Sequence, residues 1–199
     1  MRRIVDIAVA LLILGILSPL LAVVAAIIVA SSPGNPLYGG WRAGLHGRKF
    51  RMWKFRTMVK DAARFGPITG RDDPRVTPVG RLLRRTKLDE LPQFINLLMG
   101  DMTLVGPRPE SPEIVELYDA RQRAVLDVKP GITGRVQIQS PDESETIPEG
   151  VDSHQYYVRN MMEPKLQMDL DYLAVRSPAS DAQIVLATAG LVLRAFLRG

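Results

Sequence analysis

The stretch "IAVALLILGILSPLLAVVAAIIVASSPGNPLYGGW" (residues 7–41) contains no charged side chain. An apolar run longer than the ~20 residues that cross a bilayer belongs in a membrane. Three readings compete. A secretory signal would have a shorter apolar region and an earlier cleavage site, although "IVASSP" imitates one. A straight span would put the rest of the chain on the side opposite Arg2 and Arg3. A re-entrant helix would dip into the bilayer and return. Ser18-Pro19 sits near the middle of the run, and proline removes a backbone donor and crowds the preceding turn, so a bend is expected there. Arg2 and Arg3 precede the run, and Arg42, Arg48 and Lys49 follow it. Positive flanks favour the cytoplasmic side, so a chain that returns to the same face satisfies both ends. Proline kinks also occur in ordinary spans, so the residues alone leave both topologies open.

The remaining chain, out of 199 residues, suffices for one compact domain. This divides the protein into a membrane helix with its exit turn (1–36) and a catalytic-sized body (37–199). Cysteine is absent and only His46 and His154 occur, which excludes a disulfide framework, thiol chemistry and a His/Cys metal site. The net charge of +5 points to anionic partners: nucleic acid, lipid headgroups or phosphorylated substrates. Aromatic residues are only 6% and no nucleic-acid motif is present, which argues against a base-stacking platform.

The periodicity predicts an α+β, mainly helical fold with a small β-element. "SSPGNPLYGG" reads as a turn-rich exit from the membrane. "RKFRMWKFRTM" reads as a strand, with Phe50 and Met52 on one face and Arg51 and Trp53 on the other. "FGPITGRDDPRVTP" is loop. Gly80 to Leu88 reads as a basic helix, and Leu88, Leu91, Ile95 and Leu98 form a stripe along the next one, bent or restarted at Pro92. "GDMTLVGPRPESP" is a proline-stiffened loop. Ser111-Pro112 opens a helix to about Val128 with Ile114, Leu117, Tyr118 and Val125 on its face. "RVQIQ" alternates like a strand, and "SPDESETIPEGVDS" is an acidic loop. Two helices follow, around 154–175 and 180–198. The last carries Ile184, Leu191, Val192 and Phe196 beside Arg194 and Arg198. It suits either an interfacial amphipathic helix with snorkelling arginines or a plain core-facing one.

Residues 84–92, "RRTKLDELP", place Asp89 and Glu90 directly behind Arg84, Arg85 and Lys87. Thr86 and Asp89 have the spacing of a capping box, and acids in a first turn complement the helix dipole, so a simple helix start accounts for the pattern in isolation.

Three further stretches change that balance. "KFRTM" (54–58), "RVTPVGRLLRRTKLDELPQFINLLMGDMTLVGPRPE" (75–110) and "KPGITG" (129–134), in this order and spacing, resemble the bacterial sugar transferase family, and within it the small monotopic phosphoglycosyl transferases. The resemblance covers nearly the whole chain and is densest from 50 to 134. It implies transfer of a phospho-sugar from a UDP-sugar to a polyprenyl (undecaprenyl) phosphate in the membrane, with release of UMP, as the first step of a glycoconjugate. It also implies a re-entrant helix broken at Ser18-Pro19, on the cytoplasmic face of the bacterial inner membrane and in contact with its lipids.

By the same resemblance, Asp89 is the nucleophile that forms an acyl-phosphate intermediate and Glu90 its dyad partner. Adjacent helical residues project about 100° apart, so one can attack while the other helps hold Mg²⁺ or moves a proton. Mg²⁺ is the implied cofactor because the ligands on offer, Asp89, Glu90 and phosphates, are oxygens. Arg84 matches a family arginine near the dyad. Lys54 and Arg56, on one face of the strand by alternation, would meet the same phosphates. Arg108, held between Pro107 and Pro109, offers a fork-shaped guanidinium suited to phosphate. The bland reading of Arg84 is a solvated helix charge, that of Lys54 and Arg56 an exposed basic edge, and that of Arg108 an incidental arginine in a rigid turn.

The C-terminal third departs from the family pattern. Arg135 stands where tryptophan is common, and His154, with Asp152 two before it, stands where an acid is usual. These departures leave the dyad untouched and bear on sugar specificity; no motif specifies the sugar or an oligomeric state. A membrane-tethered module that binds anionic lipid or nucleic acid without catalysis is the alternative. It would need the basic residues and the apolar anchor but not Asp89.

Overall fold

The computed structural model describes residues 2–60, 62, 73–140 and 146–197. Parts of two expected loops, residues 65–72 and 141–145, lie outside it, as does Arg198. Helix α1 (Arg2–Ser31) is a single 30-residue helix that runs through Pro19. Proline cannot donate to the carbonyl of Gly15, and the Ser18 hydroxyl donates to that same carbonyl instead, at 2.9 Å. The expected bend is therefore not an interruption of the helix, because the serine satisfies the acceptor that the proline leaves open.

Among the described residues, α1 is the one helix long and apolar enough to cross a membrane. Its middle is exposed, with Leu11, Leu12 and Ile16 each 59–66% accessible. Its ends are not. Near the start, Arg3 donates to the carbonyl oxygens of Leu97 and Leu98, and buried Asp6 accepts from the Thr103 hydroxyl (2.9 Å) and the Leu104 amide (3.0 Å). Near the end, Val24 and Ile28 pack on Phe55 and Leu83. Both ends of α1 rest on one body.

That body begins with an antiparallel hairpin, β1 (Leu37–Ala43) and β2 (Lys49–Phe55), in register Leu37↔Phe55 through Ala43↔Lys49. β2 follows the sequence expectation, with Phe50 and Met52 buried against Met102. β1 replaces part of what reads as an exit turn. Its Gly39-Gly40 pair is not a turn but a fit: a Cβ on Gly39 would lie 2.9 Å from the Trp53 ring opposite.

Helix α2 (Pro78–Arg85) is capped by Thr77, whose hydroxyl accepts from the Gly80 amide. Helix α3 (Gln93–Met99) starts directly after Pro92, as expected. Its fully buried face is Gln93, Asn96 and Leu97 rather than the expected stripe, which is half-buried. The reason is Asn96, which accepts from the Trp53 amide and donates to the Arg51 carbonyl and Asp101, so it staples α3 onto β2.

Strand β3 (Thr103–Val105) lies within the expected loop and pairs in parallel with β4 (Gly131–Thr133). The single helix expected from Pro112 to Val128 is instead a short α4 (Pro112–Val115) and a 3₁₀ segment over Gln122–Asp127, which together bury Ile114, Tyr118 and Val125 and leave Leu117 exposed. "RVQIQ" forms helix α5 (Arg135–Gln139), not a strand. Five residues cannot distinguish period 2 from 3.6 when only Val136 is fully buried. Asp152 caps α6 (Ser153–Tyr156), and a π-helical turn (Tyr157–Met161) leads into α7 (Met162–Ala174). Helix α8 (Pro178–Leu197) buries Ile184 and leaves Leu186, Leu193 and Arg194 exposed.

Candidate active site

Thr86 does not open a helix. It ends α2, and its hydroxyl donates back to the carbonyls of Leu82 and Leu83. Lys87 follows with φ 59°, a left-handed conformation uncommon for a residue with a side chain. This reversal starts a single 3₁₀ turn, Leu88–Glu90, without a side-chain cap. The capping box and the helix N-terminus expected at Asp89 are both absent, because the turn aims Asp89 into the interior rather than along a helix axis. Backbone of this kind, costing about 1–3 kcal/mol, persists where the surroundings over-determine it, and such positions cluster at active sites.

Asp89 is 6% exposed, and its Oδ1 is buried without a hydrogen-bond partner. Glu90 is differently held. Its Oε1 accepts from Lys54 Nζ at 2.8 Å and from Arg108 at 3.2 Å. The two acids consequently have opposite electrostatics. Burial pushes the Asp89 carboxyl above its ordinary value; the Lys54 charge opposes that shift and neighbouring Glu90 adds to it. Burial would push Glu90 up as well, but Lys54 and Arg108 outweigh it and hold Glu90 well below the usual range. An adjacent pair driven apart in this way suits two roles rather than one.

Both acids open into a cleft of about 2650 Å³ that Lys54, Arg84 and Arg108 also line. Apolar side chains also line it, among them Val9, Ile13 and Leu17 of α1 and Leu191 to Leu193 of α8. Arg84 donates through Nε to the Thr57 hydroxyl at 3.0 Å, in a region where α2 meets the chain after β2 so closely that a Cβ on Gly80 would overlap the Thr57 carbonyl.

Of the residues selected from sequence, the structure brings together Lys54, Asp89, Glu90 and Arg108, with Arg84 on the same cleft. Arg56 lines the cleft too, but its guanidinium is not directed to the dyad. β2 ends at Phe55, so strand alternation does not carry through, and Arg56 clamps the exit of α1 through Ser32 and the Pro33 carbonyl. His154 and Arg135 are exposed, and Asp152 serves as a helix cap.

One polar cluster was not anticipated. Glu110 Oε1 accepts from the Tyr157 hydroxyl and from Lys165 Nζ (2.9 Å), and Lys165 also reaches the Tyr157 oxygen at 2.6 Å. Burial would raise the Glu110 carboxyl, but Lys165 and the Tyr157 bond hold it below its ordinary range. Glu110 belongs to the "GPRPE" motif, but nothing in the sequence joins it to a lysine 55 residues away.

The sequence profile described as "Bacterial sugar transferase" matches residues 1–195. The chain is 39% identical over 197 residues to the UDP-glucose:undecaprenyl-phosphate glucose-1-phosphate transferase of Escherichia coli (strain K12), covering 94% of this chain and 39% of that protein. It is 37% identical over 194 residues to the protein of the same name from Caulobacter vibrioides, covering 94% and 67%. It is 38% identical over 176 residues to the exopolysaccharide production protein ExoY of Sinorhizobium fredii, covering 80% and 77%. The chain thus spans well under half the length of the first of these relatives and more of the other two. With the profile matched over nearly its full length, this chain belongs to the bacterial sugar transferase family.

Proposed function

We propose that this chain transfers a phospho-sugar from a UDP-sugar to a membrane polyprenyl phosphate, through a covalent intermediate on Asp89. The observation that carries the reading is the dyad: a buried carboxylate with an unpartnered oxygen, beside a second carboxylate clamped by Lys54 and Arg108 in an open cleft. The names of the relatives support the donor and acceptor classes. An Asp89 oxygen attacks the sugar-linked phosphorus, the bond to the bridging oxygen breaks, and UMP leaves with that oxygen. A polyprenyl phosphate oxygen then attacks the aspartyl phosphorus, and the carboxylate departs as the lipid diphosphate sugar forms. Lys54, Arg84 and Arg108 neutralise the phosphate charge, while the pairing of Glu90 keeps it ionised.

The donor set fits Mg²⁺. Among the described residues no three candidate ligand side chains cluster, and Mg²⁺ is commonly held by one or two carboxylates plus substrate phosphates. Asp89 and Glu90 would hold it, and its chemistry would be charge neutralisation on the diphosphate.

The same reading makes the protein monotopic, with residues 1–36 as a re-entrant element and residues 37–199 as a catalytic body on the cytoplasmic face. The packing of both ends of α1 onto one body supports it, since a helix crossing the bilayer would separate those ends. The exposed leucines of α8 support an interfacial placement for that helix.

The test is a single-turnover experiment with UDP-glucose, and with a panel of other UDP-sugars, in Mg²⁺ without lipid acceptor. The expected result is a burst of one equivalent of UMP and an intact-protein mass increase of one phospho-sugar, mapped to Asp89. UMP release only when polyprenyl phosphate is present, with Asp89→Asn still turning over, overturns the covalent mechanism.

A further inference from the structure

Arg108 meets Glu90 from the middle of a short segment that is anchored at both ends. Upstream, the Gly106 amide donates to the Thr133 carbonyl and the Pro107 carbonyl accepts from the Gly131 amide, both at 2.9 Å. The two chains touch there, since a Cβ on Gly131 would overlap the Gly106 amide. Downstream, the Glu110 carbonyl accepts from the Ala43 amide of β1 at 2.9 Å. Pro107 and Pro109 fix φ on either side of Arg108, so little backbone freedom remains between the two anchors.

The downstream anchor also has a side-chain part. The Glu110 carboxylate turns to the helical layer, where Oε1 accepts from the Tyr157 hydroxyl and from Lys165 Nζ at 2.9 Å. The two donors hold each other as well: Lys165 Nζ reaches the Tyr157 oxygen at 2.6 Å and lies 4.5 Å from the centre of its ring. Tyr157 opens the π-helical turn, a rare form of helix that is frequent at functional positions. The Lys165 and Glu110 side chains are only 11% and 17% exposed, and an ion pair so buried adds little stability, because desolvation offsets most of its attraction. Arg108 borders the same small interior cavity as Glu110, Tyr157 and Lys165, and it borders the dyad cleft too. A continuous run of contacts and chain therefore leads from Lys165 and Tyr157 through Glu110 and Pro109 to Arg108 and Glu90.

We propose that Lys165 and Tyr157, acting through Glu110, are positioning residues for phosphoryl transfer: they hold the segment that sets the Arg108 guanidinium at the dyad. The inference rests on the transferase reading given under the proposed function, in which Arg108 neutralises donor phosphate. A guanidinium does so only from the right place, and a misplacement of about 1 Å costs on the order of 10²-fold in rate.

The experiment uses the full chain in detergent micelles and releases Glu110 in two ways. Glu110→Gln combined with Lys165→Met removes the charge pair together, so that no lysine is left buried without its acid. Tyr157→Phe removes one hydroxyl and keeps the ring beside Lys165, so the test stands even where the double variant does not fold. Both are made in the unmodified protein and in Arg108→Ala. The first readout needs no ligand: the NMR signal of the Arg108 guanidinium N–H groups in isotope-labelled protein, assigned by its loss in Arg108→Ala. Release of Glu110 should speed the exchange of these protons with solvent roughly 10-fold or more, the scale of losing one hydrogen bond to a charged group. An Arg108 signal and exchange rate unchanged by the release overturn the proposal. The second readout is the single-turnover UMP burst over a range of UDP-glucose concentrations. In the unmodified protein, release of Glu110 should lower the maximal burst rate roughly 10- to 10²-fold. In Arg108→Ala it should cost nothing further, because the group being positioned is gone. Equal fractional losses in the two backgrounds mean a merely structural role and overturn the proposal. Failure of the transferase reading is seen separately, as no UMP burst from the unmodified protein with any UDP-sugar, and the Arg108 signal then decides the positioning role alone.

Discussion

Asp89 and Glu90 adjoin in sequence but depend on pH with opposite signs. Asp89 has a folded-state pKa raised above its unfolded value of 3.8. Its contribution to stability is therefore fully present below that value and lost as pH rises through the raised one, so ionised Asp89 burdens the folded state at neutral pH. Glu90 has a folded pKa well below its unfolded 4.5, so its contribution is present above 4.5 and lost only as pH falls through the depressed value. Asp89→Asn is expected to abolish the UMP burst and yet raise thermal stability at neutral pH, because it removes a carboxylate charge that burial disfavours. The gain should shrink as the solution is acidified and Asp89 becomes protonated in the parent protein. Melting curves at neutral pH and near pH 4 read both effects, and a variant less stable than its parent at neutral pH contradicts the assignment. Glu90→Gln should move stability the other way, because Lys54 and Arg108 lose their shared negative charge.

At the scale of elements, Asn96 joins the strand that carries Lys54 to the helix that follows the dyad. Asn96→Ala leaves the Trp53 amide and the Arg51 carbonyl without their side-chain partner in the interior, and should cost about 2–4 kcal/mol in urea unfolding. A loss under 1 kcal/mol would mean that α3 is held by its leucines alone. The sequence shows asparagine in the middle of an apolar helix but not the strand edge it meets, so the expected Leu/Ile stripe displaced it. β2 was legible because buried Phe50 and Met52 alternate with exposed Lys49 and Arg51; β1 was hidden because Gly39 and Gly40 look like a turn until Trp53 is placed opposite. The convergence of Asp89, Glu90, Lys54 and Arg108, with Arg84 on the same cleft, was legible through motif order. The clamp made by Arg56 was not, because it depends on where β2 stops. Glu110 was quoted within a motif, but its partners Tyr157 and Lys165 come from a distant helix whose register only the fold supplies.

For the whole molecule, the decisive question is on which side each end of α1 lies. The chain has no cysteine, so single cysteines at positions 2 and 45 are unique labels. In intact cells both should be shielded from an impermeant thiol reagent and both should react after permeabilisation. Labelling of only one of them in intact cells would make α1 a span. Replacing Ser18 and Pro19 with Ala and Leu removes the hydroxyl that serves the Gly15 carbonyl and restores the missing amide, and should move the protein toward such a span. The anchoring of α1 at its beginning also sets an order of events in biosynthesis. Asp6 finds its hydroxyl partner 97 residues further along the chain, and Arg3 its carbonyls 94 and 95 residues along. The ribosome therefore delivers the apolar helix long before the groups that pin its first turn exist. On the re-entrant reading, the nascent helix must wait at the bilayer with an aspartate and an arginine unclaimed, and the fold is completed by closing the body back onto the first turns of α1.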